Sequence, residues 1–335
     1  MSRTLTIHQA GPGVTVQDMG RPGYLSLGLS RGGAADTRAL AEGAALLRQS
    51  PDCAVLEMTG MGGTFEVDHD TRIALTGAPM QTAIDGDPIA WNASHLLPAG
   101  ARLTIGAARA GVYGYLHLGG GIDTDPILGA RSVHLAAGLG ARVAAGDVLP
   151  LGDDSGAETG LALPPDDRFA GGTVRVVPSL QTGLFAQSEI DRFEDTEFHR
   201  DNRGNRMGVR VVPPGEGFAP EGGRSVLSEI IVPGDIQITG DGTPFVLLAE
   251  CQTTGGYPRI GAVLPCDLPR VAQAAAGAQL RFRFVSAEEG LAALRREAES
   301  RKGLAKAAHP LVRDPATIRD LLSYQLISGV TNGQP

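Results

Sequence analysis

Short apolar or alternating runs, each closed by a glycine-containing turn, fill the chain from Leu5 to about Leu151 and leave little room for long helices. Thr71-Arg-Ile-Ala-Leu-Thr-Gly77 and Val112-Tyr-Gly-Tyr-Leu-His-Leu-Gly119 are typical. The 47 glycines among 335 residues are about twice the usual share of roughly 7%, and the chain is therefore predicted to be mainly β. One exception stands out. From Ala34 to Leu47, residues Ala39, Leu40, Ala44, Leu46 and Leu47 fall at near-helical spacing after Asp36, whose side chain suits an N-cap.

Residues 152–172 are small, polar and proline-bearing, which is linker composition. This divides the chain into an N-terminal β-rich domain over 1–155, a second β-rich domain over 173–290, and a helical tail over 291–335. In the second domain, Val174-Arg-Val-Val, Gly208-Val-Arg-Val-Val, Ile230-Ile-Val, Asp235-Ile-Gln-Ile, Phe245-Val-Leu-Leu and Leu280-Arg-Phe-Arg-Phe-Val read as strands. Closure into a compact barrel removes their exposed edges. Helix reappears only at the end, at Ala287 to about Ala307. A further helix after Asp314-Pro315 carries Ile318, Leu321, Leu322 and Leu326 on one stripe.

A net charge of −8 gives no basic face for a phosphate backbone, so nucleic acid is not an expected partner. No stretch approaches the roughly 20 apolar residues that span a bilayer. The start, Met1-Ser-Arg-Thr-Leu-Thr-Ile7, lacks the apolar segment of a secretory signal. A soluble, cytoplasmic protein is expected. Cys53, Cys251 and Cys266 form no C-x-x-C pair, which predicts neither a disulfide framework nor a zinc knuckle. The seven histidines are scattered, and H-E-x-x-H, G-x-S-x-G and the G-x-x-x-x-G-K-[ST] phosphate loop are all missing, so no metal is expected. Gly119-Gly-Gly121 reads as a tight turn, because Ile-Asp-Thr-Asp-Pro126 does not start a helix.

Two stretches concentrate polar chemistry. Glu250-Cys-Gln-Thr-Thr-Gly-Gly-Tyr257-Pro258 follows an apolar strand directly. A loop so placed can hold a carboxylate, aim Gln252, Thr253 and Thr254 at a polar ligand, and bring the Gly255 and Gly256 N–H groups to an oxyanion. The same composition also serves an ordinary glycine hairpin. Gln17-Asp18-Met-Gly20-Arg21-Pro-Gly23-Tyr24 puts a guanidinium beside a carboxylate. Arg21 there either clamps a substrate carboxylate or phosphate, or pairs with Asp18 to tie the turn. Cys251 has no identifiable partner base and reads as inert. His117 and His134 read as satisfied strand or turn residues.

Taken in order, several motifs resemble the allophanate hydrolase subunit 2 family of biotin-dependent carboxyltransferase modules, to which the C component of 5-oxoprolinase belongs. They are Gly13-Val-Thr-Val-Gln17 through Tyr24, Gly33-Ala-Ala-Asp36, Leu56-Glu57, Leu128-Gly-Ala-Arg131-Ser, Gly146-Asp147, Asn205-Arg206-Met-Gly208, Gly234-Asp-Ile-Gln237 and Gln252 through Pro258. The resemblance implies two β-rich domains, the second a cyclophilin-like barrel. It also implies a complex with a subunit 1 homologue, similar to the B component of 5-oxoprolinase, and possibly with a homologue of the A component. The substrate would be a small amide, with ATP or carboxybiotin supplied through these partners; the chain itself lacks a biotin-attachment motif such as A-M-K-M.

The activities implied are opening of 5-oxoproline to glutamate with ATP, carboxyl transfer to urea or a related amide, or a non-catalytic regulatory role beside a subunit 1 homologue. Carried over by position, Glu250, Arg21 and Asp36 would be catalytic. Gln17, Arg131, Arg206, Gln252, Thr253, Thr254, Gly255, Gly256 and Tyr257 would bind substrate. Five positions depart from the family pattern, which usually has aspartate at Glu250, asparagine at Ala44 and Gln49, and serine at Ala130. Glycine is also usual in place of Ala141, ahead of Arg142. The changes at Ala44 and Gln49 favour the regulatory role.

Overall fold

A computed structural model describes residues 3–222 and 226–312. The helix expected after Asp314-Pro315 lies outside these residues.

Two antiparallel sheets pack against each other in the N-terminal half. One is ordered Val148–Pro150, Thr4–Ala10, Met61–Val67, Arg102–Ala108, Met80–Ile84 and Asp87–Pro88. The other runs Thr15–Gln17, Val55–Thr59, Tyr113–Leu118, Thr71–Gly77, Ala93–Leu97, Leu161–Ala162 and His309–Pro310. Leu5, Ile7, Phe65 and Leu103 of the first sheet share a core with Leu56, Met58, Ile73 and Leu116 of the second. Alternation along each strand supplies one apolar face to that core.

Thr71–Gly77 and Tyr113–Leu118 are buried on both faces, because helix α1, Thr37–Leu47, covers the outer side of their sheet. As the sequence predicts, Asp36 caps α1, accepting from the Arg38 and Ala39 amides at 3.0 and 3.1 Å. The contact is close. Gly43 of α1 faces the His117 ring so tightly that a Cβ there would lie 2.2 Å from it.

His117 is buried, with Nε2 2.8 Å from Thr76 Oγ1, and burial pushes its pKa down to about 3. The unfolded chain takes up this proton near pH 6.5, whereas the folded protein does not until about pH 3. The stability that the neutral ring permits is therefore complete above pH 6.5 and lost as pH falls toward 3, with a slope approaching about 1.4 kcal/mol per pH unit. Urea unfolding measured from pH 7 to pH 4 is expected to show this slope, and His117→Asn is expected to flatten it. An equally steep curve in the variant would assign the acid sensitivity elsewhere.

Seven strands of the second half close into a barrel in the order Gly172–Val177, Arg259–Val263, Asp235–Ile238, Pro244–Leu247, Gly208–Val212, Phe198–Asn205 and Gln279–Phe284. The last pairs with the first in parallel. This is the closed barrel that the sequence resemblance implies. Phe193, Phe198, Phe218 and Phe282 cluster inside it, with ring centroids 5.1–5.7 Å apart.

Two barrel strands are not legible in the sequence. Phe198–Asn205 reads Phe-His-Arg-Asp-Asn-Arg-Gly-Asn, without apolar alternation, and its register breaks between Arg200 and Gly204. Arg259–Val263 is obscured by the glycine loop and proline ahead of it. Conversely, the segment predicted as Ile230-Ile-Val contributes only Glu229–Ile230, which pairs with Thr254–Gly255 outside the barrel.

Helices α2, Gln187–Asp195, and α3, Leu268–Gln273, also escape sequence reading. The first buries only Phe193 and the second spans six residues, too little periodicity to detect. Helix α4, Ala287–Ala307, matches its prediction and opens with a Ser286–Glu289 capping box. It joins the two halves. Gly290 lies against Val177 and Leu264 of the barrel half, while Glu297 and Arg301 bond Arg38 and Thr37 at the start of α1.

Candidate active site

Glu250 and Arg206 meet where the barrel touches the sandwich. Glu250 follows the strand Pro244–Leu247, and its amide donates to the Arg206 carbonyl at 2.8 Å. Arg206 occupies the turn between Phe198–Asn205 and Gly208–Val212, where Asn205 Oδ1 accepts from the Met207 amide at 2.8 Å. Gly208 allows this approach, since a Cβ would lie 2.2 Å from the Phe245 ring.

On the sandwich side, two glycine loops interlock. The Arg21 amide donates to the Arg31 carbonyl at 2.8 Å, and the Ala34 amide to the Asp18 carbonyl at 2.9 Å. Gly20 and Gly33 both have positive φ, and a Cβ on either would strike the other loop's backbone. The second loop offers the Gly33 carbonyl to Arg206, and the Gly32 amide donates to the Ala249 carbonyl at 3.0 Å.

Arg206 is the hub. Nε donates to Glu250 Oε1 at 2.6 Å, one terminal nitrogen to Glu57 and the other to the Gly33 carbonyl. Burial opposes the charge, yet Glu57 and Glu250 hold the Arg206 pKa above its ordinary value. Glu57 Oε2 also accepts from the Ala35 amide at 2.8 Å and from the Tyr115 hydroxyl at 2.7 Å, and that hydroxyl accepts from the Asp36 amide at 2.8 Å. Asp36 Oδ2 then receives Arg168 Nε at 2.8 Å and Gln273 Nε2 at 2.9 Å. Arg168 in turn grips Glu42 with bonds of 2.9 and 2.7 Å. A buried polar chain thus runs from the barrel loop, through the sandwich, to the segment between the halves.

Glu250 lines two adjoining cavities of about 500 and 520 Å3, which meet at Ala136, Met207 and Glu250. One is walled by Pro12, Tyr113, Leu135 and Arg142, the other by Ser30, His134, Gln252, Thr253 and Thr254. Glu250 Oε2 accepts from the Ala136 amide at 3.1 Å and lies 3.9 Å from His134 Nδ1. His134 Nδ1 accepts from the Ala137 amide at 3.2 Å, so Nε2 carries the proton and donates to Ser30 Oγ at 2.9 Å. Burial lowers the His134 pKa, with Glu250 pulling the other way and Arg21 and Arg206 adding to the decrease. The waist therefore joins a fixed carboxylate, a neutral imidazole and loop hydroxyls, which suits orienting and deprotonating an N–H group.

Of the residues singled out in the sequence, Glu250, Arg206, Gln252, Thr253 and Thr254 come together at these cavities. Asp36 is fully buried in the polar chain and touches neither; its place is that of a helix cap holding Arg168. Arg21 is also buried. It donates to the Ile127 and Ser132 carbonyls, and no ion pair joins it to Asp18 among the described residues. Asp18 instead accepts from the Gly20 amide at 2.8 Å and the Arg131 amide at 2.6 Å.

The Arg131 guanidinium pairs with Asp123, and Gln17 bonds Thr15 and the Val133 carbonyl, both outside the cavities. Gly255 packs under Gln237, and the Gly256 carbonyl accepts from the Val226 amide, so these glycines serve close backbone approach; Tyr257 is exposed. His134, read in the sequence as merely satisfied, sits beside Glu250, and the buried roles of Tyr115 and Arg168 carry no sequence signal. Only the neighbouring Arg131-Ser132 motif hints at His134. Among the described residues, no group of three or more His, Cys, Asp or Glu side chains is arranged to hold a metal ion, and no helix is long and apolar enough to cross a membrane.

A face-packed sandwich, a closed barrel and a buried Glu–Arg–Glu junction between them define a two-subdomain module whose cleft lies at the subdomain interface. The chain belongs to the carboxyltransferase domain family, subdomains A and B, which it matches over residues 27–284. It is 34% identical over 294 residues to the C component of 5-oxoprolinase from Escherichia coli, covering 86% of this chain and 94% of that protein. The corresponding 5-oxoprolinase component of Haemophilus influenzae is 32% identical, with 85% and 92% covered. Urea amidolyase of Saccharomyces cerevisiae is 25% identical over 81% of this chain, which spans 16% of that protein. Among solved structures, TTHA0988 superposes with a TM-score of 0.77 at 29% identity, covering 85% of this chain; this chain spans only 56% of that one.

Proposed function

We propose that this chain is the C component of a 5-oxoprolinase complex, opening 5-oxoproline to glutamate with ATP alongside homologues of the A and B components. The observation that carries the reading is Glu250, a buried carboxylate fixed by Arg206 at the waist of two cavities and 3.9 Å from a neutral His134. Similarity to two C components over nearly their whole lengths supports the choice of complex. In this reading Glu250 Oε2 receives the lactam N–H, while Gln252, Thr253 and Thr254 bond the polar edge of the ring. ATP supplies the driving force and is assigned to the partner components, since this chain carries no phosphate loop.

Carboxyl transfer to urea is the second reading, favoured by the likeness to urea amidolyase. A regulatory role draws on Ala44 and Gln49. Neither lines the cavities, and Gln49 bonds the Leu118 carbonyl and the Gly120 amide at 3.1 Å each, a structural clamp.

The test is ATP-dependent release of glutamate from 5-oxoproline by the chain co-expressed with its A- and B-component homologues. Turnover is expected. None from an assembled complex, together with carboxybiotin-dependent consumption of urea, would transfer the assignment to the second reading.

A further inference from the structure

Arg142 is the unmatched charge at the cleft. It is exposed, it lines the cavity shared with Glu250, and it makes no ion pair or hydrogen bond among the described residues. The other charges beside it are spent on one another. Of the charged side chains that line this cavity, Glu250 is paired with Arg206 and also has the Arg21 guanidinium near it, so Arg142 is the cation left over among the described residues. A neutral amide leaves that charge unmatched, whereas an anionic one pairs with it.

We propose that the chamber walled by Pro12, Tyr113, Leu135 and Met207 takes the carboxylate of a small anionic amide on Arg142, with the amide group at the Glu250 waist. The inference rests on the 5-oxoproline reading of this site and adds the residue that receives the substrate's carboxylate. The chamber's volume, about 500 Å3, lies in the range of small-molecule sites. The planar fork of arginine matches both oxygens of a carboxylate. The opposite chamber, lined by Ser30, His134, Gln252 and Thr253, is left for the polar groups around the reacting bond.

Arg142 is suited to a clean test because it makes no ion pair or hydrogen bond among the described residues. In the reconstituted complex, Arg142→Gln is expected to raise KM for 5-oxoproline by about 10- to 100-fold with kcat changed far less. In parallel, calorimetric titration of the chain with 5-oxoproline and with the neutral lactam 2-pyrrolidone is expected to favour the anion in the parent and neither in Arg142→Gln. Turnover with an unchanged KM in the variant would overturn the role of Arg142 and leave the enzymatic reading standing. No turnover at all would overturn the enzymatic reading; the titration then decides the inference, with Arg142-dependent preference for the anion supporting it and equal or absent binding overturning it.

Discussion

Glu250→Gln is expected to lower turnover of the reconstituted complex by about 10²- to 10⁴-fold, the range that a positioned general base supplies. The substitution keeps the shape and an oxygen that still accepts the Arg206 Nε–H, while removing the basic carboxylate from the waist. Arg206 retains Glu57 and the Gly33 carbonyl, so the hub is not stranded. The variant should therefore melt within a few degrees of the parent and give the same circular dichroism. Full turnover would place the chemistry elsewhere. Loss of turnover with loss of fold would be uninformative about chemistry, and Glu250→Asp then serves as the milder control, because it keeps the charge and shortens the reach by one methylene.

The second large effect concerns stability. Arg168→Met keeps much of the side chain's bulk but leaves Asp36 and Glu42 buried without the cation that both grip. Leaving Asp36 with neutral donors only, and Glu42 with only Arg38 at 3.3 Å, is expected to destabilise the protein by about 3–5 kcal/mol. The pH dependence has a definite sign. Burial already holds the Glu42 carboxyl above its ordinary value of 4.5, even with Arg168 beside it, and removing the guanidinium raises it further. The folded variant then binds a proton that the unfolded chain releases at lower pH, so its stability falls as pH rises through the raised value. Urea unfolding should show the largest deficit at about pH 8 and a smaller one at about pH 5. A deficit below about 1 kcal/mol, or one that grows on acidification, would contradict this account of the pair.

The polar chain also explains why residues far from the cleft matter to it. Glu57, Tyr115 and Asp36 each use groups that face inward from different elements, so Arg206 is held from the sandwich while Glu250 is held from the barrel. Groups fixed by such a network need little reorganisation when charge develops on a ligand.

Local signals were legible where one short stretch contains the whole cause. Asp36 ahead of a 3.6-residue pattern predicts α1, and Ser286 with Glu289 opens α4 where the pattern predicts it. Glycine spacing announces the turns, and the polar run after Ala249 marks the Glu250 loop. What failed was anything whose cause lies across the chain. Phe198–Asn205 is a strand because its neighbours in the barrel pair with it, although its own residues look like a loop. Nor does the sequence show that Asp36 is buried against Arg168, or that Arg21 reaches the Ile127 and Ser132 carbonyls, since those partners lie more than 100 residues away.

The sequence by itself thus determined a glycine-punctuated β protein with a β-rich domain in each half, its resemblance to a family, and a carboxylate-bearing loop. Only tertiary structure decided that Glu250, Arg206, His134 and Arg142 share one cleft, since their separations in sequence carry no distance information. Only it decided which charges are spent on each other and which face the cavity, because burial and pairing are properties of packed surfaces and no residue carries them alone.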